Sequence, residues 1–256
     1  MKTLVGIYVF ILGTIFASFF GVIIDRVPKG KSIVLPSSKC DECGHVLKWY
    51  ENIPLISYIV LKGRCSKCKS KIGSFFFVYE LIGGLSLFFV YYKFGITLTG
   101  LLVAIITLVM LLIAGYDYKT NTILNVTLIV LALSCIALFL YRVCYYKHDY
   151  MDYAFSVLLG FIFFFTVRVV MNKLLKKESL GSGDIYLVSI MGIAFEPFEH
   201  LLAILISSLV GSIISIALIR NKSIQKDSEI PFGPFLCLGY YLIFIFGNIL
   251  TNYLLR

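Results

Sequence analysis

Charge is what this 256-residue chain has least of: 14% of its residues are Asp, Glu, Lys or Arg, against 59% hydrophobic. The mean hydropathy is +0.93. A soluble domain of this composition could not cover its own surface with polar groups, so lipid must take the place of the missing polar face. No repeat of roughly 33 to 50 residues and no low-complexity run is present, which excludes a solenoid. The apolar runs are continuous and do not alternate with polar residues, which excludes a transmembrane barrel. Acidic residues are also scarce, 14 against 23 basic, for a net charge of +9. A basic balance can signal nucleic acid, but most of these cations sit in short connections between apolar runs, and no basic patch is interleaved with aromatics. Nucleic acid is therefore not an expected partner.

What is there reads as an all-α polytopic membrane protein. At about 20 residues per crossing, the apolar stretches suffice for about eight transmembrane helices. We place them at 4–24, 75–92, 96–116, 122–141, 153–172, 184–196, 200–219 and 232–255. The sixth is short: at 1.5 Å per residue it reaches roughly 20 Å, less than the hydrocarbon core, and needs neighbours to cover its ends. The connector from Tyr141 to Asp152 reads as solvated.

Orientation follows from the basic residues. Segments 25–74, 117–121, 173–183 and 220–231 share one side and hold 17 Lys and Arg; the other side holds five. That asymmetry puts the 25–74 loop in the cytoplasm and both termini outside. Residues 1–24 read as a retained membrane helix: the leading charge is the single Lys2, and no small-residue cleavage site follows the apolar run.

The cytoplasmic loop carries Cys40-Asp41-Glu42-Cys43 and, 21 residues on, Cys65-Ser66-Lys67-Cys68. Two such knuckles can bring four thiolates around a tetrahedral Zn²⁺. The cytoplasmic assignment disfavours structural disulfides, and Lys39, Lys67 and Lys69 favour thiolates. Gly44 and Gly63 suit tight turns beside the ligands. Redox pairs, or cysteines without metal, are the other readings. Four cysteines leave no open position, so the metal's role is to fold a loop too small for its own core. Cys135, Cys144 and Cys237 stand alone and read as packing residues.

Two carboxylates fall at the cytoplasmic membrane edge. Asp117 closes the third span in Gly115-Tyr116-Asp117-Tyr118-Lys119, and Asp184 opens the sixth in Gly181-Ser182-Gly183-Asp184. Ionisable residues at such depth face the bundle or water and are candidates for function. A pair sharing one proton supplies acid and base at the same pH, enough to activate water against a peptide carbonyl. Gly181 and Gly183 would let backbone approach a substrate closely. The plainer reading is that Asp117 ends a helix and Asp184 is an ordinary N-cap.

Taken together, these residues resemble the prepilin peptidases, a branch of the GxGD intramembrane aspartyl proteases, in order along nearly the whole chain. Ala17-Ser18-Phe19-Phe20 to Asp25-Arg26-Val27-Pro28 is similar to the family's first helix and its Arg-x-Pro exit. The two cysteine pairs follow, with Asn52-Ile53-Pro54 between them, and then the Glu motif Tyr79-Glu80-Leu81-Ile82-Gly83-Gly84. Asp117 to Asn125 resembles the first catalytic segment and Gly181 to Asp184 the second. Pro231-Phe232-Gly233-Pro234 resembles the lead-in to the last helix.

The resemblance implies Asp117 and Asp184 as catalytic aspartates, type IV prepilins or pseudopilins as substrates, and the bacterial inner membrane as location, with zinc loop and active site cytoplasmic. It also implies N-methylation of the new terminus from S-adenosylmethionine, for which no glycine-rich nucleotide-binding turn is present. Glu80 is the candidate for supporting that activity or gripping substrate, against a buried helix-pairing carboxylate. On this reading 1–24 is the first transmembrane helix, 25–74 the zinc-binding, methyltransferase-associated loop and 75–256 the membrane peptidase domain. The chain departs from the family pattern twice, with Tyr186 where Lys is usual and Ile123-Leu124 where Ile-Pro is usual. The competing readings are a GxGD protease for other membrane peptides, an ion-coupled carrier, and a non-catalytic assembly protein that docks a partner through its zinc loop.

Overall fold

Every apolar run forms a helix in the computed structural model, which describes residues 2–176, 180–221 and 230–254. Lys177, Lys222 and Lys226, counted above among the cytoplasmic cations, lie outside the described residues. The helices are α1 (Lys2–Arg26), α2 (Ile56–Val60), α3 (Phe75–Phe94), α4 (Leu98–Thr120), α5 (Asn125–Tyr146), α6 (Tyr150–Leu175), α7 (Ser182–Gly192), α8 (Pro197–Arg220) and α9 (Gly233–Leu254). Among the described residues there is no strand, only two isolated bridges, Lys39 with Val46 and Arg64 with Lys71. Among the described residues, seven helices are long and apolar enough to cross a membrane. The protein is multi-pass. The sixth expected span, 184–196, is α7, shortened to 11 residues.

The chain divides into two compact units, Met1–Tyr92 and Lys93–Arg256. In the first, α1 and α3 pack through small residues. A Cβ on Gly13 would stand 2.4 Å from the carbonyl oxygen of Gly83, so that crossing admits only glycine. Without a hydrophobic drive between helices in lipid, such backbone approach supplies the contact. The loop joining them holds the cysteine knuckles, a 3₁₀ turn at Trp49–Asn52 and α2. Glu51, 8% exposed, ties this loop together. It accepts from the Lys48 N–H at 2.7 Å and meets His45 Nε2 at 3.2 Å. The Ser66 hydroxyl, the Lys48 N–H and His45 hold its carboxyl below the usual carboxylate range.

In the second unit, α7 is enclosed by α5, α6, α8 and α9. Its Leu187, Val188 and Met191 are fully buried. A helix of about 16 Å cannot bridge the hydrocarbon core alone, and it meets the far end of the bundle through polar contacts. Arg142 Nη1 donates to the Ala194 carbonyl at 2.6 Å, and His148 Nδ1 lies 2.8 Å from Glu196 Oε1. Tyr153, 2% exposed, hydrogen-bonds Arg142. The stretch from Tyr141 to Asp152 is thus a connector only in part: 147–152 is exposed as expected, while Tyr141, Arg142 and Val143 are half-buried. α5 runs through the first half of it, to Tyr146, and its end clamps the chain after α7, because carbonyls freed at a helix terminus within the bundle need donors. Cys135 and Cys237 are buried as expected, but Cys144 is exposed.

Candidate active site and cysteine cluster

Asp117 sits in the last turn of α4, where its carbonyl accepts the N–H of Asn121 at 2.8 Å; Asn121 then reverses the chain at φ 52°. Asp184 is the third residue of α7, and Gly181, not Asp184, occupies the N-cap. The plain N-cap reading of Asp184 is therefore wrong. From that third position its carboxyl reaches back to the Gly181 backbone hydrogen bond, half of a capping box, and lies at the positive end of the helix.

The structure brings the two aspartates together. Asp117 is 5% exposed and Asp184 9%, and their carboxyl groups are near enough to interact electrostatically. Asp117 Oδ2 accepts the N–H of Gly233 at 3.0 Å. A Cβ on Gly233 would stand 2.6 Å from that oxygen, so the contact requires glycine. Gly233 opens α9, and Phe232 before it packs on Phe164 of α6 and Phe235. Cys237, one turn on, feels the charge of both aspartates. Gly233 and Cys237 were not among the site residues expected from sequence. The Pro-Phe-Gly-Pro motif marked the first only as a helix lead-in.

The glycines before Asp184 have structural uses. A Cβ on Gly183 would sit 3.1 to 3.2 Å from three atoms of the Ile123 side chain, so this glycine lets α7 close on the segment after Asp117. A Cβ on Gly181 would meet Asp184 Oδ2 at an ordinary 3.4 Å. Leu124, where the family pattern has Pro, holds a proline-like φ of −70°, so that departure leaves the backbone path intact. Tyr186, two residues past Asp184, is 55% exposed. Glu80, in the first unit, accepts the N–H of Leu55 at 2.8 Å and a hydrogen bond from Ser18. It thus fixes Leu55, held at φ 59°, directly after Asn52-Ile53-Pro54.

The four cysteine sulfurs lie within 4.8 Å of one another, with Cys40 to Cys68 at 3.8 Å and Cys43 to Cys65 at 3.9 Å. Ligands 2.3 Å from a tetrahedral centre stand about 3.8 Å apart, so these distances fit a metal–sulfur site. Both knuckles turn through a left-handed residue, Gly44 at φ 67° and Lys69 at φ 61°. The Cys43 N–H and the Ser70 hydroxyl draw the Cys40 thiol down to about 6, and Ser70 lowers Cys68 as well. Cys43 rises to about 11, its His45 backbone bond outweighed by desolvation and its three sulfur neighbours. Four sulfurs so close share their protons unevenly unless a cation lies between them.

Residues 11–94 match the Bacterial Peptidase A24 N-terminal domain, and residues 104–216, with both aspartates, match the Type IV leader peptidase family. The chain belongs to that peptidase family. Curated relatives are each named "Prepilin leader peptidase/N-methyltransferase". The one from Pseudomonas aeruginosa is 29% identical over 94% of this chain and 90% of its own length. The one from Myxococcus xanthus is 35% identical over 84% of this chain and 64% of its own. A third, from Stutzerimonas stutzeri, is 26% identical over 94% and 90%. No solved structure matches the chain.

Proposed function

We propose that this chain is a membrane aspartyl endopeptidase that removes the basic leader from type IV prepilins or pseudopilins at the cytoplasmic face of the inner membrane. The observation that carries the reading is the meeting of Asp117 and Asp184, both buried and each held by a glycine backbone bond. Burial of two interacting carboxyls favours one shared proton. The ionised member takes a proton from a water held between them. That water attacks the scissile carbonyl, and the protonated member protonates the developing oxyanion. The proton taken from water then passes to the leaving amine as the C–N bond breaks. The Gly233 N–H orients Asp117 without using the carboxyl's own proton. The 17-to-five basic asymmetry supports a cytoplasmic site.

Cys40, Cys43, Cys65 and Cys68 hold a structural Zn²⁺ in this reading, since four thiolates leave no position for substrate. The relatives' names support a second activity, N-methylation of the newly exposed terminus. S-adenosylmethionine would supply the methyl group, and no residue of this chain is assigned to it. Co-expression with a prepilin, followed by mass spectrometry of the pilin N-terminus, tests the proposal. A terminus beginning directly after the leader's last glycine is expected. Intact leaders on several pilin-like substrates, with the protein present in the membrane, would contradict it.

A further inference from the structure

α3 has 20 residues, about 30 Å of helix, which matches the hydrocarbon core with no length to spare. Its first turns must therefore already lie at the edge of the apolar slab. Two contacts bring α2 down to that level. Tyr58 stacks on Phe77, the third residue of α3, with ring centroids 4.8 Å apart. The Leu55 N–H donates to Glu80, the sixth residue and about 7 Å below the helix start. At this depth α2 exposes Ile56, Ile59 and Val60, at 59%, 63% and 71%. Next along the chain, a cleft of about 420 Å³ is lined by Val60, Leu61, Lys62, Arg64 and Lys69, with no acidic residue in its wall. Lys62 and Gly63, both left-handed, fold the chain back so that cations from either side of the turn share the cleft. Among the described residues none of the three cations makes an ion pair with an acidic side chain.

We propose that α2 is an in-plane membrane anchor and that the Lys62–Arg64–Lys69 cleft binds the phosphate of an anionic phospholipid. The apolar face meets acyl chains while the cations stand one layer out, at headgroup level, which is the arrangement of an interfacial helix. The consequence is that the cysteine loop is held against the bilayer surface and does not swing on its two membrane helices. This inference is independent of the aspartyl chemistry.

The purified full chain, delipidated and offered phosphatidylglycerol or phosphatidylcholine, is read by native mass spectrometry. Wild type should retain phosphatidylglycerol selectively. Lys62→Gln/Arg64→Gln/Lys69→Gln should lose that selectivity by roughly fivefold per cation removed. Arg64 and Lys69 adjoin cysteines, so Lys62→Glu is the second variant, and it should lower retention with the cysteine loop untouched. Equal retention of the two lipids by wild type, or unchanged retention in both variants, overturns the proposal. So does displacement of the lipid by inorganic phosphate alone, which would make the ligand free phosphate. Depth is read separately in nanodiscs. The chain has one tryptophan, so Trp49→Phe with Val60→Trp places a single reporter on α2. Quenching by acyl-brominated phosphatidylglycerol is expected; full quenching by aqueous acrylamide with none by brominated lipid refutes the anchor.

Discussion

Replacing Gly233 by Ala is the sharpest perturbation of the site that leaves both aspartates in place. The added Cβ would lie 2.6 Å from Asp117 Oδ2 and 3.1 Å from its Cγ. A carbon–oxygen contact needs about 3.3 Å, so the carboxylate must retreat by about 0.7 Å. It then stretches or loses its 3.0 Å bond from the Gly233 N–H, an interaction with a charged acceptor worth about 1.5–3 kcal/mol. Displacement of a reacting group on the ångström scale costs about 100-fold in rate. Gly233→Ala should therefore lower the turnover of prepilin cleavage by roughly that factor. KM and membrane abundance should change little, because the substrate's helix does not depend on this bond. Gly181→Ala is the control, since its Cβ meets Asp184 Oδ2 at an ordinary 3.4 Å; it should lose about threefold or less, a modest capping cost. Initial rates on a purified prepilin in nanodiscs decide it. A Gly233→Ala enzyme that cuts as fast as Gly181→Ala would refute the argument that this backbone bond places Asp117.

Three further outcomes follow from the same contacts. Arg142→Ala leaves the Ala194 carbonyl without its donor and should lower stability by about 1–3 kcal/mol, seen as a reduced melting temperature in detergent that Arg142→Lys partly restores. Cys65, the most buried of the four cysteines at 2% exposure, should be indispensable for metal. Wild type should carry one zinc by elemental analysis, while Cys65→Ser carries none and shows faster proteolysis of the 25–74 loop. Glu80→Gln keeps an acceptor for the Leu55 N–H and should leave that loop as protease-resistant as wild type, whereas Glu80→Leu should expose it to cleavage.

How far the sequence reading reached follows from which interactions are local. Helix existence and position depend on runs of apolar residues, so all eight expected spans are helices, with ends shifted by a few residues. The four cysteines announce their cluster through spacing alone. What stayed hidden depends on pairs far apart in the chain. The Gly233 N–H that holds Asp117 is 116 residues away, and no periodicity marks it. Arg142 read as part of a solvated connector because its partner is a main-chain carbonyl 52 residues on, invisible in any side-chain pattern. The glycines before Asp184 pointed to close backbone approach toward a substrate; Gly183 makes a close approach to Ile123 of the protein itself, and Gly181 makes none. Asp184 was misread as a possible N-cap because a Gly-Ser-Gly run offers several cap positions, and only backbone geometry puts the cap at Gly181.

In the proposed mechanism Asp117 and Asp184 act as one acid–base pair. The direct test is prepilin cleavage by wild type, Asp117→Asn and Asp184→Asn, matched for membrane abundance and zinc content. The near-isosteric amides keep packing and accept the same backbone bonds but cannot exchange the proton. Wild type is expected to shorten the substrate, and neither variant to do so. Cleavage at the leader junction by either variant would contradict it.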